Sequence, residues 1–142
     1  MLMNLIFGSR WGIFIQAGIF SLAHIPFRWG VIGSLSVSFG LFLLGIVLGI
    51  RRTLDGGSLI GCISLHGGLV GIWFFLTSNF IDILSNTPTW IVGPGGASPN
   101  PIGSFISIFL LLLIIFNYRT AFAIAGRPSN GARNASSRGA TP

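Results

Sequence analysis

No lysine and no glutamate occur among the 142 residues of this chain, and Asp55 and Asp82 are its only acids. Charged residues make up 7% of the sequence against 51% hydrophobic, too little polar surface to cover a water-soluble domain of this size. One cysteine, Cys62, excludes an internal disulfide and a cysteine metal cluster, and its neighbours Gly61 and Ile63 read as a buried helix. Residues 1–25 lack the basic leader and small-residue cleavage site of a signal peptide, since Arg10 lies inside the segment. The start therefore reads as part of the mature fold. Nothing soluble remains once the apolar runs, some about 20 residues long, are assigned to a bilayer.

What is present is arginine, glycine and long apolar stretches. The expected fold is an all-α integral membrane protein, a bundle of about four transmembrane helices spanning residues 1–125, followed by a disordered basic tail over 126–142. The first helix is expected from Trp11 to Ile25, short for a span, with Leu2 to Phe7 as an apolar lead-in and Pro26 as its stop. The second runs from Val31 to Ile50, with Gly33, Gly40, Gly45 and Gly49 spaced for close helix approach. Arg51, Arg52 and Asp55-Gly-Gly57 form a polar turn, and Ser58 is the expected N-cap of a third helix reaching Phe80. Its Gly61, Gly67, Gly68 and Gly71 again suit close packing. Ser85 to Pro101, with four prolines, reads as irregular, with Trp90 as an interfacial anchor and Gly93-Pro-Gly-Gly96 as a surface hinge. A fourth helix follows from Ile102 to Tyr118.

The net charge of +6 comes from eight arginines at span ends and in the tail, so membrane topology accounts for it and nucleic-acid binding is not expected. With four spans, Arg10, Arg51, Arg52, Arg119, Arg127, Arg133 and Arg138 share one side and Arg28 alone lies opposite. The termini are expected to be cytoplasmic, or stromal in a plastid protein.

His24 and His66, the only histidines, both fall inside expected spans. An ionisable side chain at the centre of a span costs about 2.5 to 3.5 kcal/mol or more, so it turns toward protein, water or a metal. Counted along their helices, the two lie roughly 20 and 12 Å from the same membrane face. Two such residues in one small protein suggest one shared site.

The run Phe20-Ser-Leu-Ala-His24-Ile-Pro-Phe, a glycine-rich helix, and then Arg52-Thr-Leu-Asp-Gly-Gly-Ser58-Leu-Ile-Gly-Cys-Ile-Ser-Leu-His66-Gly-Gly-Leu-Val70 resemble the C-terminal half of CPBP intramembrane proteases, a family that includes CAAX-processing and bacteriocin-processing enzymes. The resemblance covers about residues 10 to 118. It implies that His24 and His66 belong to a catalytic site and face one another across a cavity lined by the first three helices, with a divalent metal such as zinc on the same pair as a further expectation. It also implies a Glu-Glu-x-x-x-Arg motif on an earlier helix, whose carboxylate activates water. No glutamate exists here, and that motif would fall upstream of Met1. Val70 stands where many relatives carry asparagine four residues after the second histidine, and Asp55 lies in the polar turn. The expectation is a partial or degenerate member, non-catalytic as given. An active intramembrane endopeptidase is the alternative if an N-terminal segment is missing.

Other readings need no proteolysis. A membrane histidine can serve as an interhelical hydrogen-bond partner, or His24 or His66 can be the axial ligand of a haem or chlorophyll. A structural subunit packed against other membrane proteins is a third reading. Expected partners are the lipid bilayer and either such subunits or a membrane-associated peptide substrate. Trp73, Phe74 and Phe75 read as a packing stripe, and Asn134-Ala-Ser136 as a chance glycosylation triplet.

Overall fold

The structure is a computed structural model that describes residues 2–24, 30–84, 86–96 and 98–118. Five α-helices and one 3-10 turn make up its regular structure, with no strand among the described residues. The expected helix stop at Pro26, Arg28, the arginines beyond residue 118 and the tail over 126–142 lie outside them.

The second helix, α2 (Gly30–Leu54), organises the rest: α1 (Leu2–Ala23), α3 (Ile60–Asn79) and α5 (Phe105–Asn117) all pack against it. Eleven of its residues, between Val37 and Ile50, are buried. It outlasts its expected end at Ile50 by four residues. Arg51 and Arg52 fall in its last turn, where cations meet the negative end of the helix dipole. The break comes only where Gly56 and Gly57 take positive φ, 64° and 95°, as the Asp-Gly-Gly signal requires. Arg51 Nε donates to Asp55 Oδ2 at 2.9 Å across this turn.

α1 begins nine residues before its expected start at Trp11. Residues 2–10 contain no proline and a single glycine, whose cost of about 1 kcal/mol is too small to stop a helix. α1 and α2 meet at Gly45-x-x-x-Gly49. A Cβ on Gly45 would lie 2.8 Å from the Ala17 Cα, and one on Gly49 would lie 2.8 Å from Ile13 Cγ2. The backbones therefore approach as small residues permit. Ser21, buried in the same seam, donates its hydroxyl to the Ser38 carbonyl at 2.7 Å.

Two apolar clusters result. Ile13 and Ala17 pack with Ile46 and Ile50. On another face of α2, Leu43, Leu44, Val47, Leu48 and Leu111 are joined by the partly buried Phe20, Cys62 and Ile102.

α3 differs from its expected form. None of its residues is buried, so Cys62 is half-buried rather than on a buried helix. Its thiol donates to the Leu48 carbonyl at 3.1 Å and ties α3 to α2. A Cβ on Gly67, Gly68 or Gly71 would meet nothing within 4 Å, so these glycines do not pack against another described element. Ser58 is not the cap residue itself: Leu59 is, and the Ser58 hydroxyl accepts from the Ile60 N–H at 3.3 Å.

The segment expected to be irregular contains a single helical turn, α4 (Thr89–Val92), entered through extended Pro88. The expected hinge at Gly93 is pinned. Asn100 N–H donates to the Pro94 carbonyl at 2.8 Å, and a side chain on Gly93 would collide with the Asn100 carbonyl. A 3-10 turn, Pro101–Gly103, presses on α2 at Gly40, whose missing side chain makes room for the Ile102 carbonyl. α5 starts at Phe105 rather than Ile102 because Ser104 is extended, its hydroxyl accepting from the Ser107 N–H.

Gly30–Leu54 and Ile60–Asn79 are long and apolar enough to cross a membrane, while Trp11–Ala23 and Phe105–Asn117 are shorter apolar stretches.

Candidate functional site

His24 lies one residue beyond the end of α1, and its position follows from how that helix terminates. In a continuing helix its N–H would bond to the Phe20 carbonyl. Instead it donates to the Ser21 carbonyl at 3.1 Å, and the freed Phe20 carbonyl accepts a hydrogen bond from His24 Nδ1 at 2.8 Å. A carbonyl can only accept, so Nδ1 carries the proton, and in the neutral ring Nε2 is left with a lone pair. The ring closes the helix end and is held in one tautomer by it.

His66 projects from the second turn of α3 toward the same place. The two imidazole centroids are 6.3 Å apart with the rings nearly perpendicular at 77°. Phe20 completes the group: its ring lies 4.6 Å from His24 and meets His66 edge-on at 5.5 Å. Phe20 and His24 share a helix face by their i, i+4 spacing, and Phe20 packs on the Leu43–Leu48 cluster of α2. It therefore fixes both imidazoles relative to the core. The His66 Nδ1 atom is buried and has no hydrogen-bond partner among the described residues, an arrangement that leaves a polar group waiting for a ligand or water.

The two rings border an open groove of about 800 Å³. The expected lining by the first three helices needs correction. Leu41 and Leu44 of α2 and Leu69, Val70 and Trp73 of α3 contribute, but α1 supplies only His24 from beyond its end. Ser98 to Ile102 and Ser107 of α5 form the remaining wall. α3 does not pack against α5 or the 3-10 turn, which is why the groove stays open between them. Trp73 and Phe74, expected as a packing stripe, also line this groove, and Phe75 lies outside against Phe80.

Neither Asp55 nor Asp82 lines the groove, and among the described residues no three histidine, cysteine or acidic side chains gather as metal ligands. Two imidazoles are fewer than the three protein ligands of a catalytic zinc, so the donor set does not fit that metal, and no chemical step is derived through one. What the arrangement offers is a pair of imidazoles able to exchange or hold a proton beside an apolar surface, with a few polar groups opposite.

Phe20 and the Ser98–Ile102 wall are absent from a reading of titratable residues alone. Phe20 is signalled by its spacing to His24. The wall has no sequence signal, because only folding carries residues more than 30 positions past His66 back to it.

A family model described as type II CAAX prenyl endopeptidase, Rce1-like, matches residues 1–72. The match takes in α1, α2, both histidines and Val70, and stops before the Ser98–Ile102 wall. No curated protein and no solved structure matches the chain. With half of the sequence matched and both motif histidines inside the match, the chain belongs to the Rce1-like family of type II CAAX prenyl endopeptidases.

Proposed function

We propose that this chain is a multi-pass membrane protein that keeps the histidine half of a CAAX protease-type site, binds prenylated peptide ends in the groove, and does not hydrolyse them by itself. The observation that carries the reading is the 6.3 Å approach of two imidazoles 42 positions apart in sequence. His24, with its Nδ1 proton committed to the Phe20 carbonyl, and His66 are the proposed site residues. Hydrolysis requires water to be deprotonated as it attacks the peptide carbonyl. In the resembled family a carboxylate does this, and neither carboxylate of this sequence lies in the groove.

Four spans with the termini on the arginine-rich side complete the proposal. The apolar exposure of α3 supports lipid as its surroundings: Ile60, Ile63, Ile72, Phe74 and Phe75 are each more than half exposed, and none of the residues of the helix is buried. The purified chain, reconstituted in bilayer nanodiscs, is expected to leave a farnesylated CAAX-type peptide intact at the rate of a protein-free control. Cleavage that disappears in His24→Ala would overturn the non-hydrolytic part of this reading.

A structural role within a larger membrane assembly is the second reading, favoured by the open Gly67, Gly68 and Gly71 face of α3. Copurification of a stoichiometric membrane partner whose release requires disruption of that face supports it over the peptide-binding reading.

A further inference from the structure

We propose that Asn100 is a binding residue of the groove, its side-chain amide donating a hydrogen bond to a carbonyl oxygen carried by the apolar ligand; this rests on the reading of the groove as a site for an apolar, carbonyl-bearing molecule. Four observations lead there. Asn100 lines the groove that His24 and His66 border. Its backbone is fixed on both sides, its N–H on the Pro94 carbonyl at 2.8 Å and its carbonyl accepting from Gly103 N–H at 3.2 Å. Its side chain is oriented as well: the Ile102 N–H can only donate, so the atom 3.2 Å from it is the amide oxygen Oδ1. The Nδ2 group is thereby turned away from its own backbone and has no partner among the described residues.

The surroundings select the ligand chemistry. Leucine, valine and isoleucine are the commonest side chains of the groove, and Asn100 is only half-buried in its wall, so its Nδ2 group stays accessible to an acceptor that enters the groove. The two free donors of Nδ2 pair with a lone-pair oxygen, and a carbonyl on an apolar chain provides one while burying the rest of itself. Position 70 bears on the same point. Val70 lies one turn beyond His66 on α3 and lines the groove too, yet offers no donor. Asn100 supplies from the opposite wall an amide that α3 does not present to the groove. The other polar groups opposite the histidines are the hydroxyls of Ser98 and Ser107; Ser107 Oγ accepts from Ser104 Oγ at 3.1 Å, and each hydroxyl offers one donor where Asn100 Nδ2 offers two.

The test uses the full chain in nanodiscs and two probes: a farnesylated CAAX-type peptide, and N-methyldodecanamide, which carries a carbonyl on an apolar chain without any peptide motif. The variant is Asn100→Asp, which keeps the oxygen that accepts from Ile102 N–H and removes the donor. Both probes are expected to bind the wild type, with affinity falling about tenfold or more in the variant. In protein labelled with 15N asparagine, the Asn100 side-chain amide protons are expected to shift on saturation, a readout that does not depend on the variant folding. Equal affinity in wild type and variant, or an unmoved Asn100 signal at saturation with either probe, overturns the proposal. If the amide binds through Asn100 and the peptide does not bind, the Asn100 site stands and the prenyl-peptide reading falls. If neither probe binds, both fall.

Discussion

His24 and His66 are chemically identical side chains placed in unequal positions. His24 is exposed and has one nitrogen tied to the Phe20 carbonyl, whereas His66 is half-buried with Nδ1 shut away from solvent. Acylation by diethyl pyrocarbonate should therefore proceed faster at His24 than at His66, read by mass spectrometry of the peptides. Equal rates would contradict the burial of His66. Phe20 separates the two effects further. Its ring contacts both imidazoles, so Phe20→Ala should raise His66 reactivity toward that of His24. The same change should destabilise the fold by about 2 kcal/mol, less than a fully buried phenylalanine would cost because the ring is only partly buried. The pairing of Phe20 with His24 is legible from their spacing. The unpartnered His66 Nδ1 is not, because it depends on which atoms of other elements come near.

Helix glycines divide into two kinds that composition does not distinguish. Gly45 faces Ala17 with no room for a side chain, and Gly68 faces open space. Gly45→Leu should separate α1 from α2 and lower stability by about 3 kcal/mol, at the upper end of overpacking penalties, because the obstructing atom is backbone. Gly68→Ala should leave stability unchanged or raise it by up to about 1 kcal/mol through helix propensity. Unfolding by sodium dodecyl sulfate in mixed micelles measures both, and equal losses in the two variants would contradict the open face of α3. Small-residue spacing on α2 correctly indicated a close helix seam. The same spacing on α3 does not form one with the described elements, since α3 is attached to α2 by Cys62 and has no other helix along its glycine face.

For the molecule as a whole, the proposed topology rests on the arginine distribution. Arg51 and Arg52 stand at the end of α2, next to the α2–α3 turn, and four further arginines follow residue 118. In a Cys62→Ser background, Thr53→Cys and Ser136→Cys are expected to react with a membrane-impermeant maleimide from the same face. Labelling from opposite faces would contradict the four-span arrangement, while a serine at position 62 keeps a donor for the Leu48 carbonyl.

The helical class, the α2–α3 turn and the histidine pair could be read from sequence because each rests on local chemistry: apolar length, paired glycines with positive φ, and imidazoles too costly to leave in lipid. The family resemblance rests on the same residues. Tertiary structure alone decided that α1 starts near residue 2, that α3 touches α2 but leaves its glycine face open, and that Ser98 to Ile102 forms the far wall of the groove. Those outcomes depend on competition between distant segments for the surface of α2. Gly40 admits the Ile102 carbonyl there and Gly45 admits Ala17, contacts whose partners lie 62 and 28 positions away in the sequence. A local pattern holds no record of which distant backbone will fill the space a glycine leaves.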